Sequence, residues 1–164
     1  MKNNILNLLL FQIGWLVCIT SGNYAALGYT VLVLVFHWRL FSPDKREWWL
    51  ILLVTVVGVS WDWTMSGFGI LVFSEAVKSM LPLWLVCVWI LFATTYQHGM
   101  YWLQGRPVLA ALLAAVMGPV SYWSGSQLNE VALGEPLTLS LIILAIGWGT
   151  LFPVSMQLAK RMVK

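Results

Sequence analysis

The chain of 164 residues is 60% hydrophobic and 9% charged, with a net charge of +3. A soluble domain keeps roughly 25% of its residues charged, so a surface facing water is excluded, and the mean hydropathy of +0.84 agrees. The positive balance does not point to nucleic acid, because the basic residues stand in small groups between apolar segments rather than in one run.

Six apolar stretches follow one another along the chain, at about residues 5–20, 24–41, 48–65, 81–102, 107–123 and 137–158. The first is preceded by Lys2, in the manner of a signal peptide. No Ala-x-Ala follows it, and Val17 is too bulky for a lipoprotein cleavage box before Cys18, so the segment is expected to stay. Ser21, Gly22 and Asn23 mark the turn to the second stretch. That stretch ends at Ser42-Pro43-Asp44-Lys45-Arg46-Glu47, where charge is densest, and the third begins at Trp48. Residues 66–80, with Gly67, Gly69, Glu75 and Lys78, are too polar for a full span and too apolar for an ordinary loop. Several stretches are near the lower limit of about 17 residues for crossing the bilayer core. Hydrocarbon offers no partner to a backbone amide, so each span is expected to be helical.

Charge orients the set. With the amino terminus in the cytoplasm, Lys2, Arg39, Lys45, Arg46, Arg106, Lys160, Arg161 and Lys164 all fall inside, and only Lys78 falls outside. The expected fold is an all-α polytopic membrane bundle, one transmembrane domain over residues 1–164, with six transmembrane helices and both termini cytoplasmic. Its expected location is the bacterial inner membrane. The 11 tryptophans fit this frame as interfacial belts, with Trp15, Trp89 and Trp148 lying deeper. In the fifth stretch Ala110, Ala114 and Gly118 repeat at intervals of four beside Ala111 and Ala115, a pattern that lets helices approach closely. It makes this helix central, or offers a face for a homodimer. Gly147, Gly149 and Pro153 are expected to loosen the sixth helix. Trp15-Leu16-Val17-Cys18 recurs as Trp84-Leu85-Val86-Cys87, a match of common membrane residues. Cys18 and Cys87 have no metal or redox spacing and read as buried small hydrophobes.

Acidic side chains inside a membrane cost about 2.5 to 3.5 kcal/mol at mid-bilayer on insertion scales, which makes each one a functional candidate. Asp62, between Trp61 and Trp63 in the outer part of the third helix, is the clearest. It reads either as a proton carrier or polar-ligand contact, or as an interfacial carboxylate paired with Lys78. Glu75 and Lys78 suit a local ion pair. If residues 66–80 fold back, Glu75 joins Asp62, Ser121 and Tyr122 in one outward-facing pocket. Gln12, mid-span in the first helix, suits an interhelical hydrogen bond or a ligand contact. His37 and His98 read as isolated interfacial histidines rather than metal ligands. No His-x-x-x-His array, nucleophile elbow or phosphate loop is present, so no cofactor or metal is expected.

Phe11-Gln12-Ile13-Gly14-Trp15, then Pro82-Leu83-Trp84-Leu85 leading to Trp89 and Phe92-Ala93-Thr94-Thr95, then Gly118-Pro119-Val120-Ser121-Tyr122 with Gly125, resemble the bacterial membrane proteins grouped as domain of unknown function 2878. The resemblance runs in the same order along essentially the whole chain. It implies a multi-pass protein with no assigned activity. Length and tryptophan content are also similar to those of the tryptophan-rich sensory proteins, from which the six-helix charge pattern and the placement of Pro and Trp separate this chain. The residues together favour a non-catalytic, lipid-associated accessory or amphiphile-binding protein, with a polar pocket of Asp62, Glu75, Ser121, Tyr122 and Gln12 and membrane lipids as partners. A small proton-coupled transporter using Asp62, or a lipid-modifying enzyme using Asp62 and Glu75 as acid and base, are the alternatives.

Overall fold

A computed structural model describes residues 2–41, 44–73, 81–128 and 131–163. Among them are six α-helices: α1 (Lys2–Thr20), α2 (Gly22–Phe36), α3 (Lys45–Gly67), α4 (Leu83–Ala93), α5 (Pro107–Leu128) and α6 (Leu137–Met162). Two short strands, β1 (Leu71–Val72) and β2 (Ala132–Leu133), pair antiparallel. Four helices are long and apolar enough to cross a membrane: α2 with its extension to Phe41, α3, α5 and α6. The outer surface is apolar on all of them, with Val31, Val56, Val116, Ile146 and Val154 pointing away from the protein. The buried set holds Asn7, Thr30, Glu47, Asp62, Thr94 and Thr95. Apolar groups face out, and Asn7, Glu47, Asp62, Thr94 and Thr95 find hydrogen-bond partners inside, as a hydrocarbon surrounding requires.

Several helix boundaries differ from the expected ones, α5 running on to Leu128 and α6 to Met162, and two of the differences have a clear local reason. The third helix begins three residues early, because Asp44 caps it: its Oδ1 accepts from Arg46 N at 2.8 Å and Glu47 N at 3.0 Å. The charged residues Lys45–Glu47 thus form a first helical turn instead of a connection. The fourth helix ends at Ala93 rather than near Trp102. Thr94 and Thr95 turn their hydroxyls back onto Leu91 O at 2.7 Å and Phe92 O at 2.6 Å, and the backbone tightens into successive short turns up to Leu103. Such backbone survives in hydrocarbon only where protein shields it, and Leu91, Phe92, Ala93, Thr94, Thr95 and Tyr96 are all buried. Asn7, 1% exposed, staples this stretch from α1. Its Nδ2 donates to Thr94 O at 3.3 Å and its Oδ1 accepts from Gly99 N at 3.1 Å.

Side-chain contacts fix which helix ends meet. Gln97 Nε2 donates to Ala159 O at 3.0 Å, so the turns after α4 lie against the end of α6. Far from them Asn23, at the start of α2, accepts from Trp84 N at 3.0 Å and caps α4. The β1–β2 pair closes that same end by joining the segment after α3 to the one before α6. Beyond the end of α3, Ile70, Leu71 and Phe73 are buried; residues 74–80, with Glu75 and Lys78, are outside the described set. The Ala110, Ala114, Gly118 row is buried within the chain, and a Cβ on Gly118 would stand 2.4 Å from Trp148 Cγ of α6. A homodimer would have to use another face. Cys18 and Cys87 are free thiols buried beside Ala26, Val33 and Leu91.

Asn7→Ala removes both bonds to the turns after α4 and leaves a buried amide and carbonyl unpaired. The expected loss is about 2–4 kcal/mol in a denaturant titration in mixed micelles. A loss below about 0.5 kcal/mol would show that the staple carries no weight.

Candidate functional site

Asp62 is 0% exposed and sits among apolar side chains of α3. Two neutral donors from other helices satisfy it. Trp89 of α4 donates Nε1–H to Oδ2 at 2.6 Å, and Tyr122 of α5 donates its hydroxyl to Oδ1 at 2.5 Å. The indole reaches the carboxylate because α3 carries no side chain at Gly58, where a Cβ would stand 2.1 Å from the Trp89 ring. Trp89 in turn stacks on Trp148 of α6, with ring centroids 5.3 Å apart and planes 7° apart. Trp148 edges onto both Phe92 at 5.5 Å and Tyr122 at 6.2 Å. One carboxylate, one tyrosine and two tryptophans thus tie α3, α4, α5 and α6 together.

Beside this cluster lies a cleft of about 570 Å³ between α1, α4 and α5. That volume is in the range of small-molecule pockets, roughly 300–1,000 Å³. Its walls are Phe11, Trp15 and Ile19 of α1, Trp84, Leu85 and Val88 of α4, and Ala114 and Met117 of α5, with Leu71 and Phe73 folded over one end. Gln12, Asp62, Ser121 and Tyr122 all line it. Four of the five residues singled out in the sequence therefore meet in one place, and the fifth, Glu75, lies outside the described residues.

The polar groups do not play equal parts. Asp62 is sealed, while Tyr122 is only part-buried, so the phenol is what the cleft meets. Its proton is committed to Asp62, and the Ser121 hydroxyl donates to Gly118 O of its own helix at 2.7 Å. A hydroxyl has one proton and two lone pairs. Both hydroxyls thus turn acceptors, not donors, toward the cleft. Gln12 is exposed and makes no side-chain hydrogen bond among the described residues; a bond of the kind expected of it is made five residues earlier, by Asn7.

A second polar cluster was not anticipated. His37 and His98, read in the sequence as isolated, both place Nε2 on Glu47 Oε1, at 2.9 Å and 2.8 Å. The correction has a plain cause: Glu47 belongs to the capped first turn of α3, where it points inward and is 5% exposed.

The fold and site define an all-helical protein with four helices suited to a membrane and an apolar cleft walled at one point by a sealed carboxylate. The family profile described as "Protein of unknown function (DUF2878)" matches residues 4–154, and the chain belongs to that family. No curated protein and no solved structure matches it.

Tyr122→Phe leaves Asp62 with one donor, and the expected destabilisation is about 1–3 kcal/mol. In the Asp62→Asn background the same change is expected to cost less, because the pair acts as a unit. Strict additivity in that double-mutant cycle would remove the hydrogen bond from the account.

Proposed function

We propose that this chain is a multi-pass inner-membrane protein, with six spans and cytoplasmic termini, that holds a single-chain amphiphile in the α1–α4–α5 cleft as a lipid-associated, non-catalytic protein. The observation that carries the reading is the polarity of the cleft: largely apolar walls, with the hydroxyl lone pairs of Tyr122 and Ser121 gathered beside a buried carboxylate and the Gln12 amide apart from them on the α1 wall. Acceptors next to a carboxylate favour a head that donates, such as a hydroxyl or an ammonium, and disfavour an ionised carboxylate or phosphate. The apolar walls suit an acyl chain. The orientation is supported by the meeting of helix ends: α2, α4 and α6 finish, and α3 starts, at the end that carries Arg39, Arg46, Lys160 and Arg161.

The transport reading shares Asp62 and differs in requiring that carboxylate to exchange protons with both sides. The acid–base reading needs a second carboxylate. Among the described residues Asp62 is the only acidic side chain lining the cleft, so that reading rests on Glu75.

Chain-brominated amphiphiles give a direct test, since bromine quenches the tryptophans Trp15, Trp84, Trp89 and Trp148 that line the cleft. A brominated monoacylglycerol is expected to quench saturably in detergent, about tenfold more tightly than the brominated fatty-acid anion, the equivalent of roughly 1.4 kcal/mol. Gly125→Leu fills the cleft from a position where a Cβ meets only Ile19 Cδ1, at 3.5 Å. It is expected to abolish saturable quenching with the melting temperature unchanged. Equal, unsaturable quenching of both proteins by both lipids would sink the proposal. Proton flux in liposomes that depends on Asp62 would replace it with transport.

A further inference from the structure

We propose that His37, Glu47 and His98 form a binding site for a divalent transition metal, zinc by its donor set, at the end of the bundle opposite the β1–β2 pair. The chain has only 2 histidines, and both reach the same carboxylate oxygen from positions ten and fifty-one residues away. Three separate elements deliver the three side chains. His37 opens a π-helical turn, His37–Phe41, at the end of α2; such widened turns recur at functional sites. Glu47 is fixed in the first turn of α3 by the Asp44 cap. His98 lies in the tight turns after α4, next to Gly99, which Asn7 holds.

The geometry is close to that of a chelate. The three donor atoms lie within 4.8 Å of one another. Zinc takes imidazole nitrogen and carboxylate oxygen at about 2.0–2.1 Å, and a tetrahedron of that size has edges of roughly 3.3 Å. The two nitrogens, at 2.9 and 2.8 Å from Oε1, need to separate from it by about 0.5 Å to admit the ion. A latch made only of hydrogen bonds is served as well by one nitrogen on each carboxylate oxygen; here both converge on one. Two neutral imidazoles and one carboxylate leave a fourth position for water, the composition of an open zinc site. His98 supplies the way in, since its side chain is 16% exposed against 1% for His37 and 7% for Glu47.

The surroundings restrict the rings. Phe41 stacks on His37 with centroids 5.3 Å apart and stands 4.5 Å from His98, while Trp48 packs edge-on to His37 at 5.8 Å. These aromatic walls fix imidazole orientation and exclude bulk water, as an outer shell does. Nδ1 of His37 is buried with no hydrogen-bond partner among the described residues. A metal-bound histidine usually has one there, and its loss typically costs 10–100-fold in affinity. The site is therefore expected to bind with a dissociation constant around micromolar, not picomolar.

Tag-free full-length protein in detergent, titrated with cobalt(II), provides the test. Wild type is expected to develop the visible absorption of four-coordinate cobalt, saturating at about one ion per chain and reversed by zinc. Glu47→Gln keeps an oxygen that accepts from both imidazoles but removes the anionic ligand. It is expected to keep the metal-free melting temperature within a few degrees while losing at least tenfold in cobalt affinity. His98→Ala, at the most exposed ligand, is expected to lose as much and serves should Glu47→Gln fail to fold. A wild-type spectrum that stays that of the aqueous ion at tens of micromolar cobalt overturns the proposal, with no variant needed. Unchanged affinity in Glu47→Gln or His98→Ala does the same.

Discussion

A carboxylate surrounded by apolar side chains has to find its donors within the protein, and at Asp62 they arrive from α4 and α5. Leaving either oxygen unmatched costs on the order of 1–3 kcal/mol, a large share of a net stability of roughly 5–15 kcal/mol. Much of the packing follows from this demand. To donate to Asp62 the Trp89 indole has to lie across α3, which leaves no room for a side chain at position 58. Its other face is then covered by Trp148, which α5 admits by carrying glycine at 118. With Trp148 drawn toward α4, the α5–α6 pair is held at α3 and α4, and α1 meets α5 across an open space. The cleft is the volume that this arrangement leaves.

The parts of this site that were legible in the sequence are those whose cost is visible one residue at a time. An acidic side chain inside an apolar run is conspicuous wherever it falls, so Asp62 stood out, and Ser121 and Tyr122 could be matched to it by depth alone. Trp89 could not. In a chain with 11 tryptophans the residue type carries no signal, and the fact that decides its role, the absence of a side chain at Gly58, lies on another helix. The His37–Glu47–His98 group escaped for a related reason. By composition Glu47 groups with the charged connection before Trp48, and the cap at Asp44, a side chain accepting from backbone amides, makes it a helical residue that points inward.

The end of the fourth helix was hidden differently. The sequence from Leu81 to Trp102 is apolar enough to read as one span, and hydropathy has no means of detecting that two adjacent threonines will bond back to their own carbonyls. A helix of 11 residues rises about 16 Å, half the thickness of a hydrocarbon core. Beyond it the segment continues as tight turns whose amides bond to carbonyls three and five residues back, and to Asn7.

This break reconciles the two polar clusters. Glu47 and Asp62 stand on α3 about 60° apart at 100° per residue, so both look toward the same neighbour, near opposite ends of the helix. That neighbour is the α4 segment, which supplies Trp89 to one and His98 to the other. In an unbroken helix Trp89 and His98 would project about 180° apart, and whichever met its partner would turn the other toward the outside. Unwinding the chain after Ala93 removes the conflict: the helical half presents Trp89 to Asp62, and the turns bring His98 round to Glu47. The threonines that end the helix, and the asparagine that secures the turns, are therefore what allows one segment to serve both the cleft and the histidine–glutamate group.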